Sequence, residues 1–248
     1  MEFVHEALRN KHKDQPVWVV GADPTIVKFP KDFLKDKLSI VVGSAYVAFP
    51  NGTYNYNNEY RTVEEFWPGR FPDYLTKSHI WAFPFYGMGE GGSRKFIEEH
   101  KPPKLWSLHY RPYPPKGRRP DILTDVGYNA MVGLVHKANE GHPGPYGGFG
   151  TSLHCALYSA IIMGCNPINI IACSHRIIGG YYHAPELGGV PATPQQIVAA
   201  TKSMRSFNER GTQAIMEGCR KEGITVLRFI GYEGVQAAIK IAEAMGRK

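Results

Sequence analysis

The chain has 248 residues, 43% of them apolar, with a formal charge of +7 and a sequence pI near 9.1. It is long enough to bury a full core as one domain, or as one domain with an insertion, and its charge favours anionic partners. No apolar run approaches the roughly 20 residues that span a bilayer, and the opening MEFVHEALRNKHKDQ is too charged for a secretory signal, which sets the expectation of a cytoplasmic protein.

After this polar lead-in, residues 17–20 (VWVV) form a compact apolar strand, followed by the turn Gly21, Ala22, Asp23, Pro24 and Thr25. Residues 38–42 (LSIVV) read as a second strand ending at Gly43 and Ser44, with 29–37 as a short helical connection. The composition then changes. Residues 51–60 (NGTYNYNNEY) are rich in Asn and Tyr, and Thr62, Val63, Glu64 and Glu65 have capping-box spacing before Phe66 and Trp67. The span 50–77 therefore reads as an irregular loop plus a short helix, an acceptor-binding or lid insertion. Residues 78–83 and 104–109 resemble strands, and 93–100 a helix between them. The densest basic segment, 111–119 (RPYPPKGRR), is held extended by its prolines. A phosphate-rich substrate or nucleic acid could use it, and so could solvent alone. Residues 124–139 form another helix, with Val126, Ala130, Leu134 and Ala138 on one side.

Residues 147–175, GGFGTSLHCALYSAIIMGCNPINIIACSH, are the most informative stretch: a glycine-rich turn, a buried helix, a sharp stop and a buried strand. Leu153, Ala156, Leu157, Ala160 and Ile161 recur at helical spacing, Gly164 stands where a left-handed cap belongs, and Pro167 blocks continuation. The run 168–173 is short, apolar and β-branched, as in a parallel strand covered on both faces. Ser174 and His175 then fall at its carboxyl edge, where open α/β sheets place ligands. At the other end, Gly150, Thr151 and Ser152 open the helix, whose free N–H groups suit a phosphate or carboxylate; the alternative is that the glycines only shape the turn and Ser152 only caps the helix. Cys155, Cys165, Cys173 and Cys219 sit mostly inside apolar patterns, as reduced core residues do. Beyond the strand comes a polar excursion with Arg176, Tyr181, Tyr182 and His183. Thr193, Pro194 and Gln196 then start a long helix that Gly223 ends. A strand over 224–230 and a helix over 233–245 close the chain. Strand and helix alternate, which argues for a mainly parallel α/β sheet in a single domain.

Together, VWVVGADPTI and GTSLHCALYSAIIMGCNPINIIACSH resemble a superfamily of Rossmann-like proteins that comprises Campylobacter-type sialyltransferases and 6-hydroxymethylpterin pyrophosphokinase-like proteins. The likeness covers the first strand and turn and most of residues 147–230, and leaves 50–145 unmatched. It implies an α/β, Rossmann-like three-layer sandwich with a mainly parallel sheet, and a transferase acting on a nucleotide or nucleotide-sugar donor. By position, Gly21, Asp23, Pro24 and Thr25 would form the first nucleotide-binding turn, with Ser44 near the donor. Thr151 and Ser152, after Gly150, would meet its phosphate or sugar. Tyr181 and Tyr182 would hold the leaving phosphate with help from Arg176, and His183 would be the general base, with His175 beside Ser174 as the competing one. The chain departs from the family at Ala22 and Asp23, where an asparagine or other small residue and a glycine are usual, and at Ser174 and His175, where an aspartate is common.

Three readings follow. The first is glycosyl transfer from a nucleotide-linked donor to an anionic small molecule or glycan. The second is pterin pyrophosphokinase-like diphosphate transfer, which calls for a magnesium cofactor (Mg2+) on carboxylates such as Asp23, Glu140 and Glu186. The third is a non-enzymatic nucleotide- or nucleic-acid-binding protein. A metal site from Cys173, His175 and His183 matches no zinc spacing, and the absence of G-x-G-x-x-G after the first strand argues against a nicotinamide enzyme.

Overall fold

The computed structural model describes residues 1–60, 63–64, 71–109, 122–146, 151–173 and 194–245, with only the backbone of 24 and 194–207. Its strands are β1 (Glu2–Phe3), β2 (Val17–Val20), β3 (Ser39–Val42), β4 (Tyr54–Glu59), β5 (His79–Tyr86), β6 (Leu105–His109), β7 (Ile168–Ile171) and β8 (Val226–Arg228). They form one sheet in the order β1-β6-β5-β4-β3-β2-β7-β8, with every neighbouring pair parallel. The helices are α1 (Val4–Ala7), α2 (Gly89–His100), α3 (Asp125–Asn139), α4 (Ser152–Ile162), α5 (Pro194–Lys221) and α6 (Gly231–Ala244).

The strands VWVV, SIVV and INII are nearly continuous apolar runs because both faces of the sheet are covered. On one face, Val19, Ile40, Tyr56 and Ile170 pack with Leu8, Met131, Leu157 and Ile215 from α1, α3, α4 and α5 or their flanks. On the other, Val20, Val41 and Ile171 pack with Ile26, Tyr46, Phe96 and Val235, from short 3-10 turns and from α2 and α6. The result is the three-layer Rossmann-like sandwich. Helix α4 is the innermost helix: all residues from Leu153 to Ile162 are buried. It stops at Gly164, whose φ of +75° is the left-handed cap. Helix α3 starts where Thr124 accepts a bond from the Gly127 N–H at 3.2 Å. All four cysteines are buried free thiols, and no described helix is long and apolar enough to cross a membrane.

Three sequence expectations need correction. Residues 54–59, read from composition as irregular, form β4 in the middle of the sheet. There Tyr54 and Tyr56 enter the helical core on one face, while the intervening asparagines are buried on the other. The expected helix over 29–37 is instead a chain of turns, Phe33 to Pro30, Lys35 to Asp32 and Lys37 to Leu34, with Asp36 left-handed at φ +59°. Helix α2 begins at Gly89, four residues before the expected start. The basic segment 111–119 lies outside the described residues, as do Thr62 and Glu65.

Candidate functional site

From β2 the sheet grows in one direction through β3, β4, β5 and β6, whereas β7 pairs with the opposite side of β2 and is followed by β8. The switch point therefore lies between β2 and β7, and in open α/β sheets the crevice at the carboxyl ends of such strands takes ligands. The two segments that stood out in the sequence are neighbours here, in the register Val17 to Ile168 through Val20 to Ile171.

Their ends remain zipped beyond the strands. The Gly21 N–H donates to the Ile171 carbonyl and the Asp23 N–H to the Ala172 carbonyl, both at 3.0 Å. No side chain fits at Gly21, where a Cβ would lie 2.2 Å from Cys173 Sγ and 2.5 Å from the Ala172 oxygen. Opposite it, the buried Ala172 holds a φ of +50°, a left-handed conformation that costs an L-residue about 1 kcal/mol. Strain of this kind persists only where surrounding structure enforces it. The turn is then closed by Asp23, whose Oδ1 accepts the Thr25 N–H at 2.9 Å and caps the 3-10 turn Pro24–Lys28. Burial pushes the Cys173 thiol up to about 12, Arg228 acting against and Asp23 with the shift, so this cysteine is an inert thiol at neutral pH.

A second cluster stands along the same edge. Ser44 follows β3 in the first turn of the 3-10 segment Gly43–Val47, half-buried. Thr151 occupies the N-cap of α4, and Ser152 donates from Oγ to Asn58 Oδ1 of β4 at 2.5 Å. Thr151 thus holds the N-cap position without a side-chain cap bond, its hydroxyl buried and unpartnered among the described residues, and Ser152 ties the helix start to the carboxyl end of β4. The first-turn N–H groups of α4 carry the positive end of its dipole to this edge.

Comparison with known protein families, curated proteins and solved structures found no match.

Gly21, Asp23, Pro24, Thr25, Ser44, Thr151 and Ser152 thus share the carboxyl edge of β2, β3 and β4. Gly150, Ser174, His175, Arg176, Tyr181, Tyr182 and His183 lie outside the described residues. Glu140 is at the other end of the molecule. It pairs at 3.5 Å with His136, which pairs at 3.0 Å with Glu222, beside Gly223 and Asn166 at the amino end of β7. Asp23 and Glu140 therefore form no shared carboxylate site, and the described residues contain no cluster of three His, Cys, Asp or Glu that could hold a metal.

Three residues at this edge escaped the sequence reading. Asn58 sat in the segment taken for a loop. Arg228 ends β8 and donates from Nε and Nη2 to the Cys173 carbonyl at 3.0 and 2.7 Å, while its Nη1 meets both carboxylate oxygens of Glu209 at 2.8 and 2.9 Å. A charged residue closing an otherwise apolar last strand, ITVLR, was the available signal.

Proposed function

We propose that the chain is a cytoplasmic transferase that takes a nucleotide-linked donor, in the first instance a nucleotide-sugar, in the crevice at the carboxyl ends of β2 and β7. One observation carries this reading: the two segments that bear the resemblance contribute neighbouring strands, β2 and β7, at the switch point, with Gly21 closed against Cys173. The donor phosphate would face the N-terminus of α4 and the hydroxyls of Thr151, Ser152, Ser44 and Thr25, in a chain whose charge of +7 attracts anions. Following the resemblance, His183 removes the acceptor hydroxyl proton as the new bond forms, with His175 as the alternative base, since imidazole titrates close to neutral pH. Tyr181, Tyr182 and Arg176 donate hydrogen bonds to the leaving phosphate. The acceptor is an anionic small molecule or glycan. The Asp23 carboxylate already caps its own turn, which favours this reading over magnesium-carried diphosphate transfer.

The test is a thermal-shift screen against CMP, UMP, UDP, GDP, ATP and CMP-sialic acid, with and without magnesium. A hundredfold excess over Kd of the right nucleotide is expected to raise Tm by roughly 5–10 °C. Turnover of the matching sugar conjugate should then drop about 100-fold or more in His183→Ala. No shift with any member of the panel would contradict the donor site.

A further inference from the structure

Arg228 closes β8, which flanks β7 on the side away from β2. Its guanidinium directs two N–H groups at a single atom, the Cys173 carbonyl oxygen, and a third nitrogen at both oxygens of Glu209. The two side chains are 16% and 36% exposed, so these charge-assisted bonds are partly sheltered from water. Cys173 follows the left-handed Ala172, and its thiol sits where a side chain on Gly21 would have to go. A backbone carbonyl past the end of a strand has lost its ladder partner and needs another donor. Here the neighbouring strand supplies it. Glu209, on α5, ties the same guanidinium to the helical layer.

We propose that Arg228 is a positioning residue of the donor crevice. It fixes the Cys173 carbonyl to α5 through Glu209, and so holds the carboxyl end of β7 at the spacing from the Gly21–Thr25 turn that a nucleotide requires, without touching the nucleotide. This rests on the donor reading above. A lysine cannot substitute fully, because one ammonium does not reproduce a planar fork that serves a carbonyl and a carboxylate at once.

Arg228→Met, Arg228→Lys and Glu209→Gln, compared with the wild-type chain, test the proposal through amide hydrogen exchange and CMP titration. In Arg228→Met the Gly21 and Asp23 amides are expected to exchange at least about tenfold faster through local opening. The Asn55 and His79 amides, bonded to Ser78 and Lys104 in the distant half of the sheet, should change less than about twofold. The Kd for CMP should rise about tenfold, with Lys intermediate and Glu209→Gln below about threefold, because Arg228 keeps both bonds to Cys173 there. Equal acceleration of all four amides with unchanged CMP affinity would reduce Arg228 to a general stabiliser and overturn the proposal. If the wild-type chain takes neither CMP nor any other nucleotide of the panel, the donor reading falls, and the exchange pattern alone decides whether Arg228 sets the end of β7; if another nucleotide of the panel binds in its place, that nucleotide replaces CMP in the titration.

Discussion

Along β2 and β7 the buried side chains are Val, Ile and a single Asn, whereas across β4, β5 and β6 one sheet face carries Asn55, Asn57, His79, Trp81 and Ser107, none more than 1% exposed. These five are register neighbours: Asn55 beside His79, Asn57 beside Trp81, and Trp81 beside Ser107. The polar seam is only partly tied: among the described residues Asn55 Oδ1, Asn57 Oδ1, His79 Nδ1, Trp81 Nε1 and Ser107 Oγ are buried without a hydrogen-bond partner. Asn57 Nδ2 donates to the Tyr74 hydroxyl, and His79 Nε2 donates to the Tyr74 carbonyl at 2.7 Å. In the β2–β7 half the sheet interior is nearly dry and polarity collects at the carboxyl edge, where Asp23, Arg228 and the ends of the strands meet. Polar residues in this fold thus occupy two distinct settings, those of β4 to β6 inside the packed sheet and those at the switch point along its carboxyl edge, and the proposed function assigns ligand contact to the second set alone.

Four perturbations sharpen or break that contrast. The largest effect is expected from Gly21→Val. Its Cβ lands on Cys173 Sγ and on the Ala172 backbone, so something must move; urea unfolding should show a loss of about 3 kcal/mol or more. A loss under about 1 kcal/mol would mean that the two strand ends yield easily.

Next is the pH dependence of the polar seam. Burial pushes the His79 imidazole down to about 4. The native protein keeps it neutral while the unfolded chain takes up the proton near its ordinary pKa of about 6.5, so between those values the unfolded state binds more protons. Stability is therefore full above about pH 6.5 and declines as pH falls toward 4, by about 2 kcal/mol between pH 7 and pH 5. Burial also lowers His5 and His12, both partly exposed, and they add smaller contributions of the same sign. Urea midpoints across this range measure it, and His79→Gln should flatten the profile.

Tyr74→Phe removes the hydroxyl that accepts from Asn57 and leaves that buried amide short of a partner, an expected cost of roughly 1–2 kcal/mol with no change in nucleotide affinity. The smallest effect on stability belongs to Ser152→Ala at the carboxyl edge. It should cost about 1 kcal/mol or less, yet weaken nucleotide binding measurably in a calorimetric titration. If Tyr74→Phe weakened binding while Ser152→Ala left it intact, the division of labour would be reversed.

The legibility of the fold divides along the same line. Strands β2, β3 and β7 announce themselves as apolar β-branched runs, and α4 by its helical spacing and the Gly164 cap, because burial on both sides leaves little choice of residue. The adjacency of β2 and β7 was not legible, since pairing across that sequence distance leaves no local trace. Strand β4 was hidden. Its Tyr and Asn alternation has the strand period, but asparagine is a turn former, and here Ser78 and Tyr74 receive only the amide N–H groups while both side-chain oxygens are buried without a partner among the described residues. At the site, the glycine, hydroxyl and capping positions were legible. Arg228 and Glu209 were not, because an ion pair between the end of one strand and a helix turn exists only once both are folded.

The most direct measurement is an amide chemical-shift map of the labelled protein titrated with CMP. The account predicts perturbations concentrated at Gly21, Asp23 and Thr25, at Gly43 and Ser44, and at Thr151 and Ser152. Saturable perturbations confined to the opposite edge, around Asn10, Gly164 and Gly223, or none with CMP or any other nucleotide of the panel, would contradict a donor crevice between β2 and β7.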